Sequence, residues 1–238
     1  MYQSTVKQIA LPPPGAGFHN GASTPRSFSR LFATPSSVAS HSPRPDGDAW
    51  AEKRREIINC AAEVFFEHGF HRGTTKEIAE RVGLTQPAIY HYVGSKDDLL
   101  SEIARQVDHD FSNALDAAIA STEDPLEQLR AIISSFVEMM VLNHKTYGVY
   151  WTEQTAINPE VKAETDLDQK RYVRRIERVV ARVQRSGVLP DRHATHVIAE
   201  AILGMMSWLY WWYIPGGRHT PEEIVCAFCD LLGLQDER

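Results

Sequence analysis

The 238-residue chain has little cysteine, only three residues, and no apolar run approaching the roughly 20 residues that a membrane-spanning helix needs. Its longest aromatic-rich run, 208–214, is far too short for that role. A cytoplasmic protein without a membrane partner is therefore expected. Cys60, Cys226 and Cys229 are too few for a secreted disulfide framework. Cys226 and Cys229 have C-x-x-C spacing, but no second ligand pair accompanies them. Set among Ile224, Val225 and Phe228, they read as small packing residues. No metal site and no cofactor are expected. The ten histidines are scattered, and H-E-x-x-H, glycine-rich phosphate loops and G-x-S-x-G are all missing, so no catalytic constellation is found and an enzyme is not expected.

Acidic residues are missing from two stretches. None precedes Asp46, in a segment rich in Pro, Ser, Gly and Ala. That composition cannot build a core, and residues 1–49 are expected to be disordered. Three other readings stay open for it: a basic arm using Lys7, Arg26, Arg30 and Arg44, a transit-like segment, or a translated upstream stretch with the start nearer Asp46. The second acid-free stretch runs from Arg81 to Lys96, between segments where carboxylates are frequent.

The net charge of −6 is unusual for a nucleic-acid binder, but it is unevenly spread. Residues 1–49 carry four Lys/Arg and two Asp, residues 50–105 eight Lys/Arg and nine Asp/Glu, and the remainder 13 basic and 20 acidic residues. Acidity gathers towards the C-terminus. DNA affinity would have to come from a few placed contacts and from dimerisation rather than from a basic surface.

Residues 74–100 carry the strongest signal. Thr74 is placed to cap a helix through the Glu77 amide, with Glu77 reaching back to complete a capping box; Ile78, Ala79 and Val82 form the apolar face and Gly83 ends it. Thr85 is the next N-cap, with Gln86 and Pro87 in the first turn and Gly94 as the stop. Ser95 and Asp98 form a further box that opens a third helix. Two short helices joined by a glycine turn follow the helix-turn-helix plan, whose second helix enters the major groove. Thr74, Thr85, Tyr90, Tyr92 and Lys96 can donate to phosphates, while Gln86, Pro87, Ala88 and His91 can face base edges. The competing reading makes Tyr90, His91 and Tyr92 ordinary packing residues of a structural helix pair, within a helical small-molecule-binding or enzyme domain.

These residues, with Arg55-Glu56-Ile57-Ile58, Ala61-Ala62-Glu63-Val64-Phe65-Phe66, Gly69-Phe70, A-I-Y-H-Y and S-K-D-D-L-L, resemble the TetR family of one-component transcriptional regulators. Val93 departs from the phenylalanine usual there. The resemblance implies an all-α fold: an N-terminal three-helix helix-turn-helix DNA-binding domain over 50–100, then a helical ligand-binding and dimerisation domain over 101–238. It also implies a homodimer on double-stranded operator DNA, most simply a repressor released by a hydrophobic small-molecule effector.

The remaining sequence reads as helices near 95–120, from Asp124-Pro125 through Met140, 147–154, 159–186 and 192–213, with a last one opened by the capping box Thr220-Pro221-Glu222-Glu223. In the family the last two helices pair across a dimer, which assigns Ile224, Val225, Phe228, Leu231 and Leu232 to that interface. The resemblance likewise makes the large polarizable side chains Phe136, Met139, Met140, Tyr147, Tyr150, Trp151, Tyr172, Met205, Trp208 and Trp211 candidates for a ligand pocket rather than plain core. The basic stripe Lys170, Arg171, Arg174, Arg175, Arg178, Arg182 and Arg185 is expected to be a solvated face, with contact to an anionic ligand end as the alternative. The W-Y-x-P-G-G and T-P-E-E-I segments resemble family members that sense acyl-coenzyme A thioesters.

Overall fold

The computed structural model describes residues 45–235. The disorder expected for 1–49 concerns residues outside that range up to 44; from Pro45 onward the chain is already helical. Ten helical segments and no strand occur among the described residues: α1 Pro45–His68, α2 Thr75–Arg81, α3 Gln86–Val93, α4 Lys96–Ala120, α5 Pro125–Leu142, α6 His144–Thr152, α7 Pro159–Arg185, α8 Thr195–Ser207, α9 Leu209–Trp212 and α10 Pro221–Leu231. The all-α expectation holds.

Local chemistry sets most of the boundaries. Asp124 accepts from the amides of Leu126 and Glu127 at 2.8 and 3.0 Å, with Pro125 behind it at the first helical position. Asn158 caps α7 through the Glu160 amide. Thr220 and Glu223 make the full reciprocal capping box on α10. The boxes expected earlier in the chain are incomplete. Thr74 accepts from the Glu77 amide at 3.1 Å, but the Glu77 carboxylate is taken by Arg81 and His68 instead of the cap amide. Ser95 accepts from the Asp98 amide, yet Asp98 receives the Ser95 hydroxyl. Thr85 occupies the N-cap position of α3 with no side-chain capping bond. Gly94 turns the chain at φ 72°, a left-handed conformation that favours glycine.

The helix expected over 192–213 is two helices. The break falls at Trp208, whose carbonyl accepts from the Trp211 amide at 3.1 Å; this i→i+3 bond tightens the turn between α8 and α9.

Helix α1 packs on α2, α3, α4 and α6, so the first four helices form a continuous unit around Ile57, Phe65, Ile78 and Ile89. Helices α4, α5 and α7 pack against one another as the centre of the second body, with α8 on α7 and α10 on α5. One apolar core runs through both. α4 belongs to both bodies, so the boundary expected at residue 100 lies inside an unbroken helix. The dimer face expected on α10 needs correction. Ile224 and Phe228 are buried within their own chain, because the amphipathic face of α10 is satisfied by α5. Val225 and Leu232 are half-buried there too, and of the five only Leu231 is well exposed, at 77%.

Candidate nucleic-acid interface and effector cavity

Helix α3 buries Ile89 and Val93 and turns Thr85, Gln86, Pro87, Tyr90 and His91 outward. Ala88 and Tyr92 are half-buried, and Thr74 is exposed at the start of α2. The structure thus brings the expected DNA residues to one side of α3 and its flanks. Val93, the departure from the family pattern, packs beneath the helix, away from the exposed side chains.

Two of the exposed side chains are held from behind. The Thr75 hydroxyl, buried on α2, accepts from Gln86 Nε2 at 3.0 Å and lies 3.1 Å from the Tyr90 hydroxyl. This bond uses one amide proton of Gln86 and leaves its carbonyl and second amide proton for other partners, a pair of the type that can read an adenine edge. Lys96 donates to the His71 carbonyl at 3.1 Å and sits 4.6 Å over the Phe70 ring, which fixes its ammonium beside α3.

The first helix supplies contacts that sequence reasoning missed. Lys53 donates to the carbonyl of Val82 at the end of α2, and Arg54 to that of Tyr92 in the last turn of α3. Neighbouring cations therefore cap the negative ends of both helices of the motif. Trp50 stacks on Tyr92 with centroids 5.7 Å apart. Only packing reveals these partners. Thr75 did leave a sequence signal, since it lies three and four residues before Ile78 and Ala79 as a polar interruption of the apolar stripe.

In the second body, a cavity of about 60 Å³ lies between α4, α5, α6, α7 and α8. Of the ten residues expected to line a pocket, Phe136, Tyr147, Tyr150, Trp151 and Tyr172 do so. The other five do not. Met139 and Met140 are buried in the general core, Met205 is half-buried outside the cavity lining, and Trp208 is 45% exposed, stacked on Trp211. Trp208 lies at the junction of α8 and α9, and neither it nor Trp211 is among the cavity-lining residues. Val107, Asp108, Phe111, Gln169, Leu203 and Ser207 complete the wall and carried no distinguishing sequence pattern. Burial raises the Asp108 carboxyl to about 6, and Asp168 beside it adds to the rise. Burial also pushes the Tyr147 and Tyr172 hydroxyls well above their usual range.

The basic stripe of α7 lies largely outside this cavity. Arg171 pairs with Asp168, Arg175 with Asp116, and Arg182 with Gln128 and the Glu123 carbonyl, while Arg174, Arg178 and Arg185 are exposed. A larger open groove of about 920 Å³ between α5 and α10 is lined by Arg130, Cys226 and Cys229 among others. Cys226 is exposed and Cys229 half-buried, so the core-packing role expected for the pair fails for Cys226, which lies on the solvent side of α10.

Helix α6 joins the two bodies. Tyr147, Tyr150 and Trp151 face the cavity, whereas His144 packs edge-on to Phe66 of α1 and Lys145 pairs with Glu63 and Glu67. Just beyond the helix, Glu153 accepts from the Phe70 amide at 3.1 Å. Gly148 lies so close to the Phe66 ring that a Cβ would meet it at 2.7 Å.

A helix-turn-helix unit joined through one helix to a cavity-bearing helical body defines a DNA-binding regulator with a sensing domain. Comparison with known proteins agrees. Residues 57–103 match the family described as bacterial regulatory proteins, tetR family, and residues 122–234 match the tetracyclin repressor-like C-terminal domain. The chain belongs to the TetR family, a family of transcriptional regulators and not of enzymes. It is similar to the transcriptional activator FasR of Mycolicibacterium smegmatis, 26% identical over 163 residues that cover 67% of this chain and 72% of FasR. It is also similar to the transcriptional repressor KstR2 of Rhodococcus jostii, 22% identical over 80% of this chain and 94% of KstR2. Among solved structures, that of AibR in complex with isovaleryl coenzyme A and operator DNA superposes with a TM-score of 0.67 at 25% identity, covering 76% of this chain and 97% of AibR.

Thr75→Val should keep the fold, because it retains the buried volume, while freeing Gln86 and Tyr90. Operator affinity should fall by about 1–3 kcal/mol, as for loss of one placed contact. Fluorescence anisotropy with labelled operator, alongside circular dichroism, checks it; unchanged affinity would show that Gln86 and Tyr90 do not depend on this hydroxyl.

Proposed function

We propose that this regulator is a homodimeric repressor that a hydrophobic small molecule releases from its operator, with acyl-coenzyme A thioesters as the effector class to test first. In this reading residues 50–100 bind DNA, and 101–238 bind the effector and dimerise. Tyr90, Tyr92, Lys96, Thr74 and Thr85 hold phosphates, while Gln86, Pro87, Ala88 and His91 meet bases. The observation that carries the reading is the double attachment of α6, to the cavity wall on one side and to α1 and the Phe70 loop on the other.

The cavity volume supports a switch. About 60 Å³ is well below the roughly 300–1,000 Å³ of typical ligand sites, so an effector must part the lining helices to enter. Helix α6 is one of them, and its displacement pulls on α1. Recognition helices of a dimer must match successive major grooves about 34–36 Å apart, so a modest change of spacing breaks both half-site contacts together. The effector acts only through unequal affinity for the two arrangements. The isovaleryl coenzyme A and operator DNA bound by AibR favour this effector class, and the repressor KstR2 favours this sign of regulation.

For the dimer, exposed apolar residues replace the α10 face read from sequence. Val197, Ala201, Gly204 and Trp208 fall at i, i+4, i+7 and i+11 on α8 and its C-cap, all exposed, and Trp212 and Leu231 are exposed beyond them. A stripe of this kind marks an association surface.

Three outcomes test the reading. Tyr90→Ala combined with Lys96→Ala should weaken binding to all DNA sequences and reduce the salt slope by about one to two phosphate contacts; mobility shifts across salt concentrations measure this, and parental affinity in the double variant removes the phosphate assignment. Val197→Glu with Leu231→Glu should give folded monomers that lose operator binding, whereas Phe228→Glu should unfold the protein. Sedimentation velocity distinguishes the two, and a parental protein that is monomeric at micromolar concentration refutes the dimer. Glu153→Ala should leave effector binding intact, read by tryptophan fluorescence, yet require several-fold more effector to release operator; parallel shifts in both curves would place the coupling elsewhere.

A further inference from the structure

Two hydrogen-bond donors in the cavity wall are buried without a partner among the described residues: the Tyr147 hydroxyl and the Trp151 indole N–H. Tyr147 is 2% exposed, so its hydroxyl is shut off from bulk water. Leaving such groups unpaired destabilises the fold, and a sequence selected for stability alone would place phenylalanine at 147. The two residues are four apart on α6 and therefore stand on one face, one turn from each other. An indole N–H can only donate, and a phenol hydroxyl can donate as well. The ligand group that satisfies both is an acceptor, and one carbonyl oxygen has the two lone pairs required.

The charge of the site decides which acceptor. No lysine or arginine is among the residues lining the cavity, while Asp108 is. Asp168 stands beside Asp108 and is itself bound to Arg171. A carboxylate entering here would lose its water and face an acidic neighbour, while Arg171, the cation that acts on Asp108, lies outside the lining and is already held by Asp168. An uncharged carbonyl carries no such penalty, and Phe111, Phe136 and Leu203 offer apolar surface to its chain.

We propose that the cavity recognises the uncharged carbonyl end of an apolar ligand, a ketone, ester or thioester, through the Tyr147 hydroxyl and the Trp151 indole N–H, and discriminates against the corresponding free carboxylate. This deepens the proposed function and rests on its reading of the cavity as the effector site. A regulator built this way responds to a masked or activated acyl group while ignoring the free acid. The class of reaction it would report is one that forms or hydrolyses an ester or thioester, or that makes a ketone.

The test uses the full-length protein and four probes of matched length: 2-undecanone, methyl decanoate, decanoate and decylammonium, titrated at pH 8 with tryptophan fluorescence and thermal shift. The ketone and ester should bind at least tenfold tighter than decanoate. Tyr147→Phe should melt at or above the parental temperature without ligand and yet lose most of that preference; Trp151→Phe should lower ketone and ester affinity in the same direction. Equal or tighter binding of decanoate or decylammonium overturns the proposal. So does failure of both carbonyl probes to bind, or an unchanged ketone affinity in Tyr147→Phe. Operator release is measured separately: the expected preference without release of DNA upholds the carbonyl site and removes the cavity's role as the switch.

Discussion

Burial of one unbroken helix in two places is the constraint on which the rest of the structure depends. Helix α4 carries Leu99, Leu100 and Ile103 in its first turns and Val107, Leu115 and Ala118 further on, all buried. It packs on α1 and α3 at one end of the molecule and on α5, α6 and α7 at the other. Each buried aliphatic side chain contributes on the order of 1.5–3 kcal/mol, so neither end can let go of α4 without exposing a large fraction of a marginal folding free energy. The DNA-binding unit and the sensing body are mechanically continuous, and a division at residue 100 describes roles rather than separable folding units.

Electrostatics around the DNA-binding unit are arranged locally instead of globally. A chain of net charge −6 presents an acid-free α3, and the nearest cations are already placed by neighbours: Lys96 by Phe70 and His71, Lys53 and Arg54 by the carbonyl ends of α2 and α3. Part of the basic character of α1 is therefore spent on helix ends, where a cation neutralises the dipole. The acidic surplus lies in the second body; one of its members, Asp108, lines the cavity, with Asp168 close behind it.

The helix-turn-helix and the all-α fold were legible because their signals are local. Caps such as Asp124-Pro125 and Thr220-Pro221-Glu222-Glu223 act within one turn, and the structure realises both. Thr74 and Ser95 were legible as caps but not as full boxes, because Glu77 has a competing partner in Arg81 that lies one turn on. The pocket was half legible. Tyr147, Tyr150, Trp151, Phe136 and Tyr172 line it, but nothing in the sequence near Trp208 announces the helix break there, and neither Trp208 nor Trp211 is in the lining. The α10 face failed for a different reason. An amphipathic stripe states that a face is buried without stating by what, and α5 of the same chain satisfies Ile224 and Phe228. The contacts of Lys53, Arg54 and Trp50 with α2 and α3 join residues far apart in sequence, so a single sequence read by local pattern does not reveal them.

Gly148 sits where α6 meets the Phe66 ring of α1, with no room for even a methyl group. Two helices that touch through a missing side chain approach closely, and the Phe66 ring, 44% exposed, is the part of the contact that can give. The contact is also brittle in evolutionary terms. A larger residue at 148 forces the Phe66 ring out of this contact, so one heritable change resets how α1 and α6 meet without altering an exposed side chain of α3 or a cavity-lining residue.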